Sequence, residues 1–216
     1  PTRIIMKAVI FDLDGLLLDT EPYWTEADNQ ILAREGYKLT PELIRKRLGI
    51  GALNTVSLYH ETFPFKYSFE EFAKERRDIV FNMMDQGIPV MDGATELIDE
   101  CFKKGFKIAI ATTAPHRARM SKILDALKAS KYITVFVTGR EVERQKPFPD
   151  IFLLAAKELN MDPKDCLVLE DASSGIEAAK AANMLAYGVN LDEETRRYLK
   201  KKGADKVFSS LTEVGL

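Results

Sequence analysis

An α/β fold, a doubly wound parallel sheet carrying one inserted helical segment, is predicted by three observations. From Pro89 to the C-terminus, short apolar runs of strand length alternate with stretches of helical period. An earlier run, Lys7-Ala8-Val9-Ile10-Phe11, ends abruptly in Asp12 and Asp14, as a buried parallel strand does when it delivers polar groups to a sheet edge. Between these two regions the apolar residues recur at helical spacing, and no strand signal of comparable strength interrupts them.

The first strand sets the frame. In an extended chain Asp12 and Asp14 point the same way, within reach of one metal ion or one phosphate, and Gly15 then lets the backbone turn. Asp19-Thr20-Glu21-Pro22 reads as a helix start, with Asp19 or Thr20 as cap and the proline in the first turn. The helical region that follows holds Trp24, Ala27, Ile31, Leu32, Leu43, Leu48, Phe69, Phe72, Ile79, Val80 and Met83. Breaks at Gly36, Thr40-Pro41, Gly49 to Gly51 and Phe63-Pro64 divide it into about four helices. The expected domains are therefore a core of residues 1–18 and 90–216 and a helical insertion of residues 19–89.

Past Pro89-Val90-Met91-Asp92-Gly93 the predicted elements are helix Ala94 to Lys104, strand Phe106 to Ala111, helix Arg117 to Ala126, strand Thr134 to Val137 and helix Asp150 to Leu159. Strand Cys166 to Leu169, helix Gly175 to Ala182, a strand near Leu185 to Val189 and a short one near Lys206 to Phe208 complete the chain. Right-handed crossovers place the first strand centrally, and sheets of this kind bind ligands at the carboxyl ends of their strands.

Composition narrows the partners. The 216 residues carry 31 Lys and Arg against 33 Asp and Glu, a formal net charge of −2, so no strong field draws the protein to nucleic acid or an anionic membrane. No apolar run approaches the roughly 20 residues of a membrane span, and no signal-peptide pattern is present. A cytoplasmic monomer acting on a small molecule is expected. The two cysteines, Cys101 and Cys166, read as buried small residues, and His60 and His116 lack metal-ligand spacing. His116 is expected only to open a helix.

Each remaining polar site follows an apolar run or lies in a loop on the same edge. Thr112-Thr113 ends a strand, where a hydroxyl and successive amides can accept a phosphate oxygen, although a threonine there is also an ordinary helix cap. Lys146 sits in Gln145-Lys146-Pro147-Phe148-Pro149-Asp150, where two prolines stiffen the backbone and aim the ammonium inward. Glu170-Asp171 closes Leu167-Val168-Leu169, and such acids suit a hard cation with oxygen ligands, or else cap the next helix.

Phe11-Asp12-Leu13-Asp14-Gly15, Ala111-Thr112-Thr113, Lys146-Pro147-Phe148-Pro149-Asp150 and Leu169-Glu170-Asp171-Ala172-Ser173-Ser174-Gly175, in that order, resemble the four motifs of the haloacid dehalogenase superfamily. The chain is similar to its subgroup with a helical cap between the first two motifs, the branch of β-phosphoglucomutase and sugar-phosphate phosphatases. The resemblance implies a Rossmann-like core, Mg2+ as cofactor and a phosphate monoester as substrate. It further implies Asp12 as nucleophile, Asp14 as acid and base, and Thr112, Thr113 and Lys146 as phosphate ligands. Asp12, Glu170 and Asp171, with the Asp14 carbonyl, become the metal ligands. Gln145 departs from the glycine that relatives carry before the lysine.

The residue types suit that chemistry. A carboxylate approaching a phosphate dianion meets repulsion of about 8 kcal/mol at 4 Å and an effective dielectric of 20, on the order of a millionfold in rate, which a cation and Lys146 offset. A receiver-like signalling module also combines acids, Thr and Lys on a parallel sheet, but its phosphorylated Asp ends a later strand and it lacks a helical insertion. Dehalogenation needs neither Asp14 nor a metal. Between phosphatase and phosphomutase the insertion decides: Trp24 stands where the mutase carries a hinge His, and the loop from Gly49 shows Ala52 where it carries an Arg. A phosphatase is expected, with Trp24 and Gly49 as candidate substrate contacts, Trp24 serving equally well as a core aromatic.

Overall fold

The structure, a computed structural model, describes residues 6–47 and 51–216. The predicted contact at Gly49 lies outside the described residues. By its internal contacts the chain divides into two compact units, one reaching Asp19 and resuming over Val90–Leu216, the other Thr20–Pro89.

The first unit is built on a six-stranded sheet ordered β3-β2-β1-β4-β5-β6, where β1 is Ala8–Phe11, β2 Lys107–Thr112, β3 Ile133–Thr138, β4 Cys166–Glu170, β5 Leu185–Val189 and β6 Lys206–Phe208. All pairings are parallel, and β1 is interior as expected, flanked by β2 and β4. Alternation along the strands sends Ala8, Ile10, Ala109, Ala111, Val135, Val137 and Val168 to one face. There they meet Ile151, Phe152, Ala155 and Ala156 of one helix (Asp150–Glu158) and Ile176, Ala178 and Ala179 of another (Ser173–Ala181). A further helix, Ala94–Lys103, packs on β2 and buries Leu97, Ile98 and Cys101. Burial on both faces explains why the central strands read as continuous apolar runs. Cys101 and Cys166 are free and buried, and burial pushes their thiols up to about 12 and about 11, in keeping with a packing role.

Beyond β1 the chain folds back on itself. The Leu13 carbonyl accepts from the amides of Leu17 and Leu18, Gly15 N–H donates to Leu18 O, and Leu18 bridges Val90 where the chain returns. Leu13, Leu16, Leu17 and Leu18 are all buried, so this turn is held by packing as well as by hydrogen bonds.

The second unit holds helices Glu21–Arg34, Pro41–Arg47, Gly51–Thr62 and Phe69–Gln86, in line with the predicted breaks. Ile31, Leu32, Val56, Tyr59, Phe65 and Phe72 form its core, with Tyr59, Phe65 and Phe72 edge-on to one another. Beside this core lies a charged network. Asp28, fully buried, accepts two hydrogen bonds from Arg76 at 2.6 and 3.2 Å and one from Tyr59 Oη at 3.0 Å, and forms an ion pair with Arg47 Nε at 3.0 Å. Arg47 continues to Glu21 and to Thr25 Oγ1, and the Arg76 guanidinium lies 4.6 Å over the Trp24 ring. Trp24 therefore takes part in the organisation of this unit.

Two local readings needed correction. The segment expected to be helical from Arg117 begins as a 3₁₀ turn, His116–Arg119, and becomes α-helical only at Met120–Ala126. A helix at Glu193–Lys201 was not anticipated, because Leu199 is its sole buried residue and a single apolar position makes no periodic stripe. Its signal was the cap: Asp192 accepts from the Thr195 amide at 2.7 Å.

Candidate active site

Strand register assembles the site. Phe11 pairs with Ile110 on one side and Leu169 on the other, so Asp12, Thr112 and the Glu170-Asp171 pair all emerge at the same carboxyl edge. Asp12 N–H donates to the Leu169 carbonyl at 3.0 Å, which fixes the first residue past β1 beside β4. Lys146 arrives from the loop before helix Asp150–Glu158, its ammonium 4.8 Å over the Phe152 ring.

The Lys146 ammonium lies 2.5 Å from Asp12 Oδ1 and 2.5 Å from Glu170 Oε1, and its side chain is only 5 % exposed. Burial works against its charge, yet the two carboxylates outweigh burial and hold its pKa above the ordinary lysine value. Asp12 is pushed up to about 7, chiefly by burial, with Glu170 and Asp14 adding repulsion and Lys146 opposing it. Burial, then Glu170 and Asp12, likewise raise Asp171 well above the ordinary carboxylate range.

Asp12, Glu170 and Asp171 offer one oxygen each within 4.8 Å of one another. Three carboxylates gathered with oxygen donors this close together fit a hard divalent cation. Close backbone approach shapes this cluster at two glycines. A Cβ on Gly15, whose φ is +89°, would lie 2.2 Å from Asp171 Oδ2, and one on Gly175 would lie 1.8 Å from Glu170 Oε1.

The Asp14 side chain takes a different direction from Asp12 and stands outside that cluster. Its Oδ2 accepts from Thr112 Oγ1 at 3.3 Å and lies 2.8 Å from His116 Nε2. Thr112 Oγ1 in turn accepts from the Ala114 amide at 3.1 Å. The two acids diverge because β1 ends at Phe11, so the period-two rule no longer holds at Asp14. Thr113 is exposed beside Thr112, while Trp24 belongs to the other unit. Gln145 also gains a place: its Nε2 donates to the Gly139 carbonyl at 2.6 Å, tying the Lys146 loop to the end of β3.

The sequence profile of haloacid dehalogenase-like hydrolases matches residues 9–189, a span that contains every one of these groups. The chain belongs to that family. This haloacid dehalogenase-like hydrolase is 35 % identical to a phosphorylated carbohydrates phosphatase of Thermotoga maritima, over 97 % of this chain and 100 % of the relative. It is 37 % identical to (DL)-glycerol-3-phosphatase 2 of Arabidopsis thaliana, over 95 % of this chain and 87 % of the relative. Among solved structures, β-phosphoglucomutase from Clostridium difficile superposes with a TM-score of 0.79 at 27 % identity, covering 98 % of this chain and 94 % of that one. CbbY from Rhodobacter sphaeroides in complex with phosphate gives 0.80 at 26 % identity, covering 98 % and 97 %.

His116 is the site residue that sequence reasoning missed in this haloacid dehalogenase-like hydrolase. The available signal was Pro115, which cannot donate at the start of a turn and so marks a sharp change of direction straight after the Thr112-Thr113 pair.

Proposed function

We propose that this protein is a magnesium-dependent phosphatase of small phosphorylated carbohydrates or polyols. The observation that carries the reading is the buried contact of Lys146 with both Asp12 and Glu170, beside a carboxylate cluster suited to one cation. The names of the relatives support the substrate class.

In this reading Asp12 attacks phosphorus, Lys146 and the Thr112-Thr113 turn hold the phosphate oxygens, and Asp14 gives a proton to the departing alcohol. Asp14 then takes a proton from the water that releases phosphate from Asp12. Asp12, Glu170 and Asp171, together with the Asp14 carbonyl, would hold Mg2+, whose positive charge offsets repulsion between the attacking carboxylate and the phosphate. The helical unit, read as a cap, is assigned the choice among esters.

The test is phosphate release with Mg2+ across glycerol, hexitol, hexose and pentose phosphates, with p-nitrophenyl phosphate as a reference. Turnover of at least one of the alkyl esters that stops in excess chelator is expected. Release from none of these compounds, or undiminished release in chelator, would overturn the reading. The mutase neighbour motivates one further arm, conversion of β-glucose 1-phosphate to glucose 6-phosphate followed by 31P NMR, for which hydrolysis without isomerisation is expected.

A further inference from the structure

We propose that His116 is a positioning residue for proton transfer: its Nε2–H fixes the Asp14 carboxylate so that the transferable proton is carried on Oδ1. The proposal rests on the reading of Asp14 as acid and base.

His116 is fully buried, and a polar ring in the interior costs free energy unless its nitrogens are used. Its Nε2 is used on Asp14 Oδ2 at 2.8 Å, across 102 positions of sequence. Oδ2 is an acceptor both in the carboxylate and in the acid protonated at Oδ1, so in this arrangement Nε2 carries the hydrogen. Thr112 Oγ1 donates to the same Oδ2, at the longer distance of 3.3 Å.

Two donors converging on Oδ2 disfavour a proton there. Asp14 is 19 % exposed at its side chain, so it keeps access to solvent and ligand. As the P–O bond breaks, the proton passes from Oδ1 to the ester oxygen, and the carboxylate left behind retains the His116 donor on Oδ2, even where Thr112 Oγ1 turns its single hydrogen to a phosphate oxygen. In the second half-reaction the same oxygen recovers a proton from water. The local fold serves this geometry: Pro115 precedes the 3₁₀ turn His116–Arg119, and His116 N–H donates to the Ala114 carbonyl at 2.9 Å, which aims the ring back toward the loop after β1.

A structural pin between the two loops would make the same contact, so the test separates the two roles through the leaving group. An alkyl alcohol must be protonated as it departs, whereas p-nitrophenolate need not be. kcat/KM is therefore compared for p-nitrophenyl phosphate and the alkyl phosphate turned over fastest in the panel above. His116→Leu should lower kcat/KM about 10- to 100-fold on the alkyl ester and less than about threefold on the aryl ester. His116→Gln, whose amide nitrogen reaches the Nε2 position, should stay within about threefold of wild type on both. His116→Asn, too short to reach, should behave as the leucine variant, and the Gln and Asn pair decides the matter if His116→Leu does not fold. Equal losses on both esters, full alkyl activity without the donor, or a Gln variant no better than Asn would each overturn the proposal. Asp14→Ala should show the same leaving-group split. Its absence there would overturn the reading of Asp14 itself, and the proposal with it.

Discussion

Glu170 reaches Lys146 across the start of a helix because position 175 has no side chain: a Cβ there would stand 1.8 Å from Glu170 Oε1. Gly175→Ala must therefore displace Glu170, removing an oxygen donor from the carboxylate cluster and a partner from Lys146. We expect this variant to lose at least about tenfold in turnover and to need more Mg2+ for half-activation. Wild-type magnesium titration in Gly175→Ala would show that Glu170 is not held where the site needs it. At this scale the sequence was legible wherever a residue follows an apolar strand, as Asp12, Thr112 and Glu170 do, because strand ends in a parallel sheet share one edge. It was illegible for His116 and for the direction of Asp14. Both lie on turns held by local backbone hydrogen bonds, and the two meet only through a side-chain contact between loops far apart in sequence.

Among the elements, the helical unit carries a buried charge network that is costly to break. Asp28 is fully buried against Arg76 and Arg47, each less than a tenth exposed, and its removal leaves the Arg76 guanidinium without its carboxylate and Arg47 with Glu21 alone. Asp28→Ala should destabilise that unit by about 3–5 kcal/mol, read as a shift of its urea midpoint. An unchanged midpoint would mean that solvent or Glu21 compensates the arginines. The four helices of this unit were readable from their breaks and spacing, but the Asp28 network was not, since an acid at one position of a helical pattern looks the same whether it faces water or two arginines. Helix Glu193–Lys201 escaped for the converse reason: nearly all of its residues are polar, and its stability comes from the Asp192 cap and Leu199.

For the whole molecule, the two compact units and the carboxylate cluster on one of them make predictions about magnesium and about chemistry that differ in kind. Burial and neighbouring acids raise Asp12 and Asp171, an effect that opposes folding of the core with both ionised and that a bound cation would offset. Mg2+ at about 100 times its Kd should stabilise the native state by about 2.7 kcal/mol, raising Tm by several degrees, and chelator should reverse the gain. A Tm indifferent to magnesium in an actively hydrolysing enzyme would place the ion elsewhere. The alternation of apolar runs with helical stretches foretold the sheet, and the handedness of its crossovers the interior first strand, because burial patterns and connectivity leave few other arrangements. The measurement that bears most directly on the central claim is phosphate release by Asp12→Asn, folded by its melting curve and confirmed by mass not to have deamidated. The amide keeps the shape of the side chain and loses the nucleophilic charge, so turnover should fall by about a thousandfold or more with Tm maintained. Near wild-type release from that variant would contradict the assignment of Asp12 as the group that receives the phosphoryl.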